Sequence, residues 1–261
     1  MVRTLLIRGM LVGLFAGLLV FGFGKVFGEP QVDRAIGFES ALDAAKAKAQ
    51  AAKGMQVVEQ PELVSRKVQA GFGLFTGVVV YSAAFGGLFA LVFAVADRRV
   101  ADLGPRAVAA LLAAAGFIAV YVVPNLKYPA NPPSVGQPDT IGQRTALYFI
   151  MLAFSVVAMI AAAVLRKRLA ARHGQWNAAL IAAGSYLVAV IVAACVLPGI
   201  NEVPEAFPAV VLWQFRMASF GMQLLMWATI GLLFGALTER ARSGHRRPLA
   251  NGRRQELGTA L

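Results

Sequence analysis

The sequence predicts an all-α integral membrane protein with six transmembrane helices. Three observations carry that reading. Of its 261 residues, 58% are hydrophobic, against about 45–50% in soluble domains. Six apolar runs reach or approach the roughly 20 residues that a helix needs to cross a bilayer. Lys and Arg gather in alternate connections between those runs, as they do on the cytoplasmic side of membrane proteins.

The runs are 5–26, 70–96, 107–123, 145–165, 178–197 and 217–237. The first is too long for the apolar part of a signal peptide. The residues after it, Phe27-Gly28-Glu29-Pro30, lack a small-x-small cleavage site, so it is read as a retained helix. The second is long enough to tilt. The third is the shortest.

Orientation follows from the basic residues. With the N-terminus cytoplasmic, the inner connections and termini hold 15 of the 25 Lys and Arg and four of the 13 acids. Arg3, Arg8, Arg98, Arg99, Arg106, the Arg166-Lys167-Arg168 cluster and the C-terminal arginines all fall on that side. The net charge of +12 is therefore an insertion signal with anionic lipid as its natural partner. Nucleic acid is not an expected partner, because the tail lacks aromatic residues that could stack on bases. The location expected is an inner membrane, with both termini cytoplasmic.

The transmembrane domain is expected over 1–238. It includes an outer loop, 28–69, that carries a short soluble helix over 38–53. Ala, Lys, Gln and Glu make that stretch a good helix former, with acids first and lysines last to suit the helix dipole. Gly54 is its expected stop. The basic tail 239–261 is polar, lacks apolar periodicity and is expected to be disordered.

The hairpins share a pattern. Two odd-numbered runs exit through apolar-apolar-Pro, at Val122-Val123-Pro124 and Val196-Leu197-Pro198. The even-numbered runs begin just after Arg66-Lys67, Arg144 and Arg216. This admits three helical hairpins around an axis normal to the membrane. Ordinary proline exits and arginine anchors would look the same.

Polar chemistry is sparse and sits at the turns. Glu29, Asp139, Glu202 and Glu205 lie near outer helix ends, with Tyr128, Asn131 and Asn201 as further oxygen donors. These seven are the candidate metal-handling residues. Carbonyls released by Pro124 and Pro198 would add hard ligands. Oxygen alone would not select one first-row divalent ion over another, since selectivity needs nitrogen or sulfur donors. Each of the seven also reads as an interfacial turn residue. Arg144 and Arg216 are candidates for ion pairs with Glu202, Glu205 or Asp139, because charge at membrane depth is usually paired. Trp213, Phe215 and Tyr128 suit an aromatic belt.

His173 and His245 stand alone in basic segments. Met222 and Met226 share a helix face, more in keeping with core packing than with metal binding. Cys195 has no partner cysteine. Gly9, Gly13 and Gly17 form a small-xxx-small stripe that lets another helix approach closely, in this chain or in a partner; Gly73 with Gly77 and Gly231 with Gly235 repeat the spacing. No phosphate-binding loop, His-x-x-x-His pair or nucleophile-base pair occurs. The chain is therefore not expected to be an enzyme, and no bound cofactor is expected.

The N-terminal helix and the two proline turns together resemble the CbtA family. The turns are Lys127-Tyr128-Pro129-Ala130-Asn131-Pro132-Pro133 and Asn201-Glu202-Val203-Pro204-Glu205-Ala206-Phe207-Pro208, the latter followed by Trp213-x-Phe215-Arg216. The resemblance covers about residues 1–240. It implies a subunit of a cobalt(II) uptake transporter in a bacterial inner membrane, feeding cobalamin synthesis. It also implies a small CbtB-like partner with one transmembrane helix and a histidine-rich end, which would supply the nitrogen ligands missing here. Family members are described with about five spans, one fewer than the six read here. The alternative function is a structural or scaffold membrane protein with no permeant of its own.

The topology is testable by labelling. A cysteine introduced at Ser134 is expected to react with an impermeant thiol reagent added outside cells, and one at Ser243 is expected to be protected. The reverse pattern would overturn the orientation.

Overall fold

The computed structural model describes residues 2–53, 64–99 and 103–258, with side chains as far as Ser243. Among the described residues every regular element is helical. Helix α1 spans Val2–Phe23 and is joined by a π turn, Gly24–Gly28, to α2, Glu29–Ala51. Helix α3, Arg66–Val68, leads through a second π turn, Gln69–Gly73, into α4, Leu74–Ala96. Helix α5, Pro105–Gly116, passes through a third π turn, Phe117–Val122, into α6, Val123–Lys127. A 3₁₀ turn, Pro138–Thr140, precedes α7, Ile141–Val196, and α8 spans Ala209–Gly258.

Five stretches are long and apolar enough to cross a membrane: Val2–Ala51, Arg66–Ala96, Pro105–Lys127, Pro138–Val196 and Ala209–Ser243. The fourth and fifth apolar runs of the sequence both lie in α7. At about 1.5 Å per residue, its 56 residues would reach roughly 84 Å if straight, nearly three times the ~30 Å hydrocarbon core. The helix is not straight. Gly174 sits at φ 76°, ψ 164°, outside helical geometry. The Ser155 hydroxyl before it lies 2.8 Å from the Tyr186 hydroxyl after it. Arg166 donates to Gln175 across the same bend at 3.2 Å. The chain therefore turns back on itself at a glycine, where a positive φ costs least.

The loop expected to begin at residue 28 is helical instead. Pro30 has no N–H, and its ring crowds the carbonyl four residues earlier. The preceding π turn widens the helix there. Pro30 then falls in the first turn of α2, where a missing N–H is tolerated. Pro124 repeats the arrangement after the third π turn, in the first turn of α6. These prolines bend helices rather than end them. The helix expected over 38–53 is thus the distal part of α2, and the expected stop at Gly54 lies outside the described residues. Pro198 behaves as expected of a breaker: α7 ends at Val196, and Leu197 is extended.

Helix α8 continues through Thr238, where the transmembrane domain was expected to end. Arg242 grips Asp97 with two hydrogen bonds, of 3.1 and 2.6 Å. Glu239 lies 3.3 Å from Arg106. Composition alone marked these residues as tail; their partners on other helices hold them. The side chains beyond Ser243, in the rest of the expected disordered tail, lie outside the described residues.

The chain divides into two compact units. The first comprises Met1–Phe21, Leu74–Ala114 and Leu224–Leu261. In it the Gly9/Gly13/Gly17 stripe of α1 meets α4. A Cβ on Gly9 would strike the Gly86 carbonyl and Ala90, and one on Gly13 would strike the Ser82 carbonyl. Gly17 faces Val79 and Ser82. On α8, Gly231 and Gly235 likewise face Ala113 and Ala109 of α5. Phe234 fills the centre, edge-on to Phe89 and Phe93 at 5.5 and 5.0 Å. Met226 is 2% exposed, a packing residue. Gly77 faces open space and makes no such contact.

The second unit comprises Gly22–Gly73 and Ala115–Gln223. Met222 packs against Gly24, and Phe23 against Gly221. Arg66 binds Glu29 at 2.5 Å and Asp33 at 3.0 Å, tying α3 to α2. Lys25 donates to the Ala70 carbonyl at 3.1 Å, satisfying an acceptor in the second π turn. Phe38, Ala35, Val135 and Phe207 form a small apolar cluster.

Substitution tests the backbone contact. Gly13→Leu is expected to lower stability by about 1–3 kcal/mol, the range for overpacking a tight site. Gly77→Leu should leave the thermal midpoint in detergent near wild type. Equal midpoints for the two variants would remove the glycine stripe from the packing account.

Candidate functional site

The site lies within the second unit, where the two proline turns meet. The first turn leaves α6 at Lys127. Asn125 accepts a hydrogen bond from the Ala130 N–H at 3.2 Å, curling the chain back. Ser134 and Gly136 take positive φ values of 63° and 125°. Gly136 is required twice over, because the Arg144 guanidinium occupies the space a Cβ would need. Phe207 and Val135 sit in the apolar cluster beneath the turns.

Polar contacts join the turns. Tyr128 donates its hydroxyl proton to the Pro198 carbonyl at 2.8 Å. The Gln137 N–H donates to Glu202 at 2.8 Å. Arg144 Nε lies 3.5 Å from the same carboxylate, long for a hydrogen bond but close enough for charge attraction. The Glu202 side chain is 10% exposed. The Thr140 hydroxyl holds its carboxyl below the ordinary 4.5, with help from the Gln137 N–H and the Arg144 charge and against the cost of desolvation. Thr140 also lies 3.0 Å from the Gln137 carbonyl. Arg216 donates to the Ala130 carbonyl at 3.3 Å and to Asn131 at 2.9 Å. It spans the first turn and, among the described residues, makes no ion pair.

These contacts frame a cavity of about 570 Å³. Of the candidate residues, Tyr128, Asn131, Asn201, Glu202, Arg144 and Arg216 line it. Glu205 and Asp139 are exposed and do not line it. Glu29 is 8% exposed and is committed to Arg66. The Pro198 carbonyl accepts from Tyr128, and the Pro124 carbonyl from the Tyr128 N–H at 2.8 Å. Sequence reading missed Asn125, Thr140, Gln137 and Tyr121. Asn125 directly follows Pro124, which was the available signal. Nothing local marked the other three, because the fold brings them in from separate elements.

The charge balance limits what the cavity can hold. Its wall carries two guanidiniums and one carboxylate. At about 5 Å and an effective dielectric of about 20, a divalent ion gains or loses roughly 7 kcal/mol per unit charge. Two arginines outweigh one glutamate by that measure. Among the described residues no group of three or more His, Cys, Asp or Glu side chains could hold a metal ion.

Acid titration probes Glu202. Its folded pKa is depressed, so its stabilising contribution is full above the unfolded value and is lost as pH falls through the folded one. As pH falls below about 4.5, wild type should lose more stability than Glu202→Gln, read as the thermal midpoint against pH. Parallel curves would show that the carboxylate contributes nothing to the turn.

No curated protein and no solved structure shows significant similarity to the chain. Residues 2–239 match the family described as "Probable cobalt transporter subunit (CbtA)", which spans both units and both proline turns. With its long apolar helices and this match along nearly its whole length, the chain belongs to the CbtA family of probable cobalt transporter subunits.

Proposed function

We propose that the protein is the membrane subunit of a cobalt(II) uptake transporter in a bacterial inner membrane, feeding cobalamin synthesis. Family membership carries this reading. The bend at Gly174 supports six crossings rather than five, with each limb of α7 crossing once. Both termini are then cytoplasmic, as the basic residues favour. Three hairpins of paired crossings would follow, with the proline turns at the outer face. The cavity between those turns is the mouth for cargo. Its oxygen donors Tyr128, Asn131, Asn201 and Glu202 face what enters.

The chain cannot select cobalt unaided. Discrimination among divalent ions rests on nitrogen or sulfur donors in defined geometry, and His173 and His245 are its only histidines. A small CbtB-like subunit with one transmembrane helix and a histidine-rich end would supply them. The family's description as a transporter subunit fits a shared site of that kind. Anionic lipid would meet the basic cytoplasmic connections.

Radioactive cobalt accumulation in cells tests the reading. Deleting this gene, or the gene of its small partner, is expected to lower uptake severalfold, with restoration only when both are supplied. Unchanged uptake, with both proteins shown to be absent, would leave a scaffold with no permeant of its own.

A further inference from the structure

We infer that the cavity between the proline turns binds a small polycarboxylate anion, so that the divalent cargo arrives as an anionic chelate rather than as a bare ion. This rests on the transport reading for its metal, but the anion site stands on the cavity itself.

The first observation is charge. Arg144, Arg216 and Glu202 line the cavity, and the carboxylate lies against Arg144 alone. A bare divalent ion would meet net repulsion there, and an anion net attraction. The second is the supply of donors. A guanidinium carries five N–H donors and no acceptor. Arg216 spends one on the Ala130 carbonyl and one on Asn131. Arg144 makes no hydrogen bond within the described residues, and its buried Nε is left without one. The remaining N–H groups call for an acceptor-rich ligand, and carboxylates match the planar fork of arginine best.

The third observation is size. A cavity of about 570 Å³ falls within the roughly 300–1,000 Å³ of small-molecule sites. A single ion with its water shell is much smaller, at about 30 Å³ of liquid volume per water. The fourth is rigidity. Arg144 lies over Gly136, and Arg216 is held by two partners on the first turn. Both guanidiniums are positioned before any ligand arrives, which lowers the ordering cost of binding.

Glu202 fits the same picture. It sits between Arg144 and the Gln137 N–H, occupying part of the positive field. Removing its charge should therefore help an anion and harm a cation. The two kinds of site predict opposite signs for one substitution.

Calorimetry on the purified full-length protein in detergent tests this, with citrate, the cobalt–citrate complex and cobalt chloride as separate probes. Citrate and its cobalt complex are expected to bind saturably, and cobalt chloride alone is not. Arg144→Gln should weaken citrate binding roughly tenfold, the effect of about 1.4 kcal/mol. Glu202→Gln should strengthen it severalfold. Arg216→Lys, which keeps the charge and is gentler on the turn than Arg216→Gln, should weaken binding less than Arg144→Gln does. Absence of citrate binding to folded wild type overturns the inference. So does saturable binding of cobalt chloride that Glu202→Gln abolishes. If citrate fails to bind while cells still accumulate cobalt through the protein, the anion site falls and the transport reading survives. If citrate binds but cobalt uptake does not depend on the protein, the transport reading falls and the anion site stands without its metal.

Discussion

In hydrocarbon, a backbone N–H or carbonyl without a partner costs several kcal/mol, and most features of this chain follow from that constraint. It restricts the long apolar stretches to helices. It also governs how the prolines are used. Pro30 and Pro124 each remove one donor, and each follows a π turn that lets the helix continue. Lys25 reaches across to the Ala70 carbonyl in another π turn. Among the described residues, prolines shape irregular turns where the chain leaves its helices, as at Pro129, Pro132, Pro198 and Pro204. There the freed groups find side chains: Asn125 takes the Ala130 N–H, and Tyr128 serves the Pro198 carbonyl.

A second constraint is the scarcity of polar side chains. In the first unit, where few polar groups are available, close approach takes over. The α1 and α4 helices touch backbone to backbone through Gly9, Gly13 and Gly86, so dispersion over a flat contact replaces the larger side chains of a soluble core. Several of the charges are used in pairs. Asp97 with Arg242 and Glu239 with Arg106 link separate helices in this unit. In the second unit Glu29 and Asp33 share Arg66. An acid placed this way is spoken for, which is why a census of carboxylates overstates the ligands open to a cation.

The turn cavity is where pairing is incomplete. One carboxylate and two guanidiniums line it, and several N–H groups remain after the internal contacts are counted. That imbalance is held in place by backbone geometry. Gly136 adopts φ 125° directly beneath Arg144, and no other residue would both reach that conformation without strain and leave the space open. A cavity that gathers two arginines and one glutamate is an unusual use of residues in a chain so apolar.

Composition and period alone determined the all-helical membrane class, because apolar runs of this length have few other stable solutions. The Gly9/Gly13/Gly17 and Gly231/Gly235 stripes were legible for the same reason, since their spacing repeats the helix period, whereas Gly73 and Gly77 share the spacing without meeting another helix. Of the seven oxygen donors read near the turns, Tyr128, Asn131, Asn201 and Glu202 line one cavity, and Glu29, Asp139 and Glu205 do not. Tertiary structure decided the rest. Sequence could not say that Pro30 and Pro124 would be absorbed by π turns, because a proline breaks or bends a helix according to whether the turn before it can widen. It could not say that α8 would carry Glu239 and Arg242 past the end of the apolar run, because their partners, Arg106 and Asp97, lie on other parts of the chain. Nor could it assign the arginines. Arg144 and Arg216 each stand just ahead of an apolar run and look alike in sequence, yet one faces Glu202 and the other spans a turn. Which acceptor a long side chain reaches depends on distances that only folding creates.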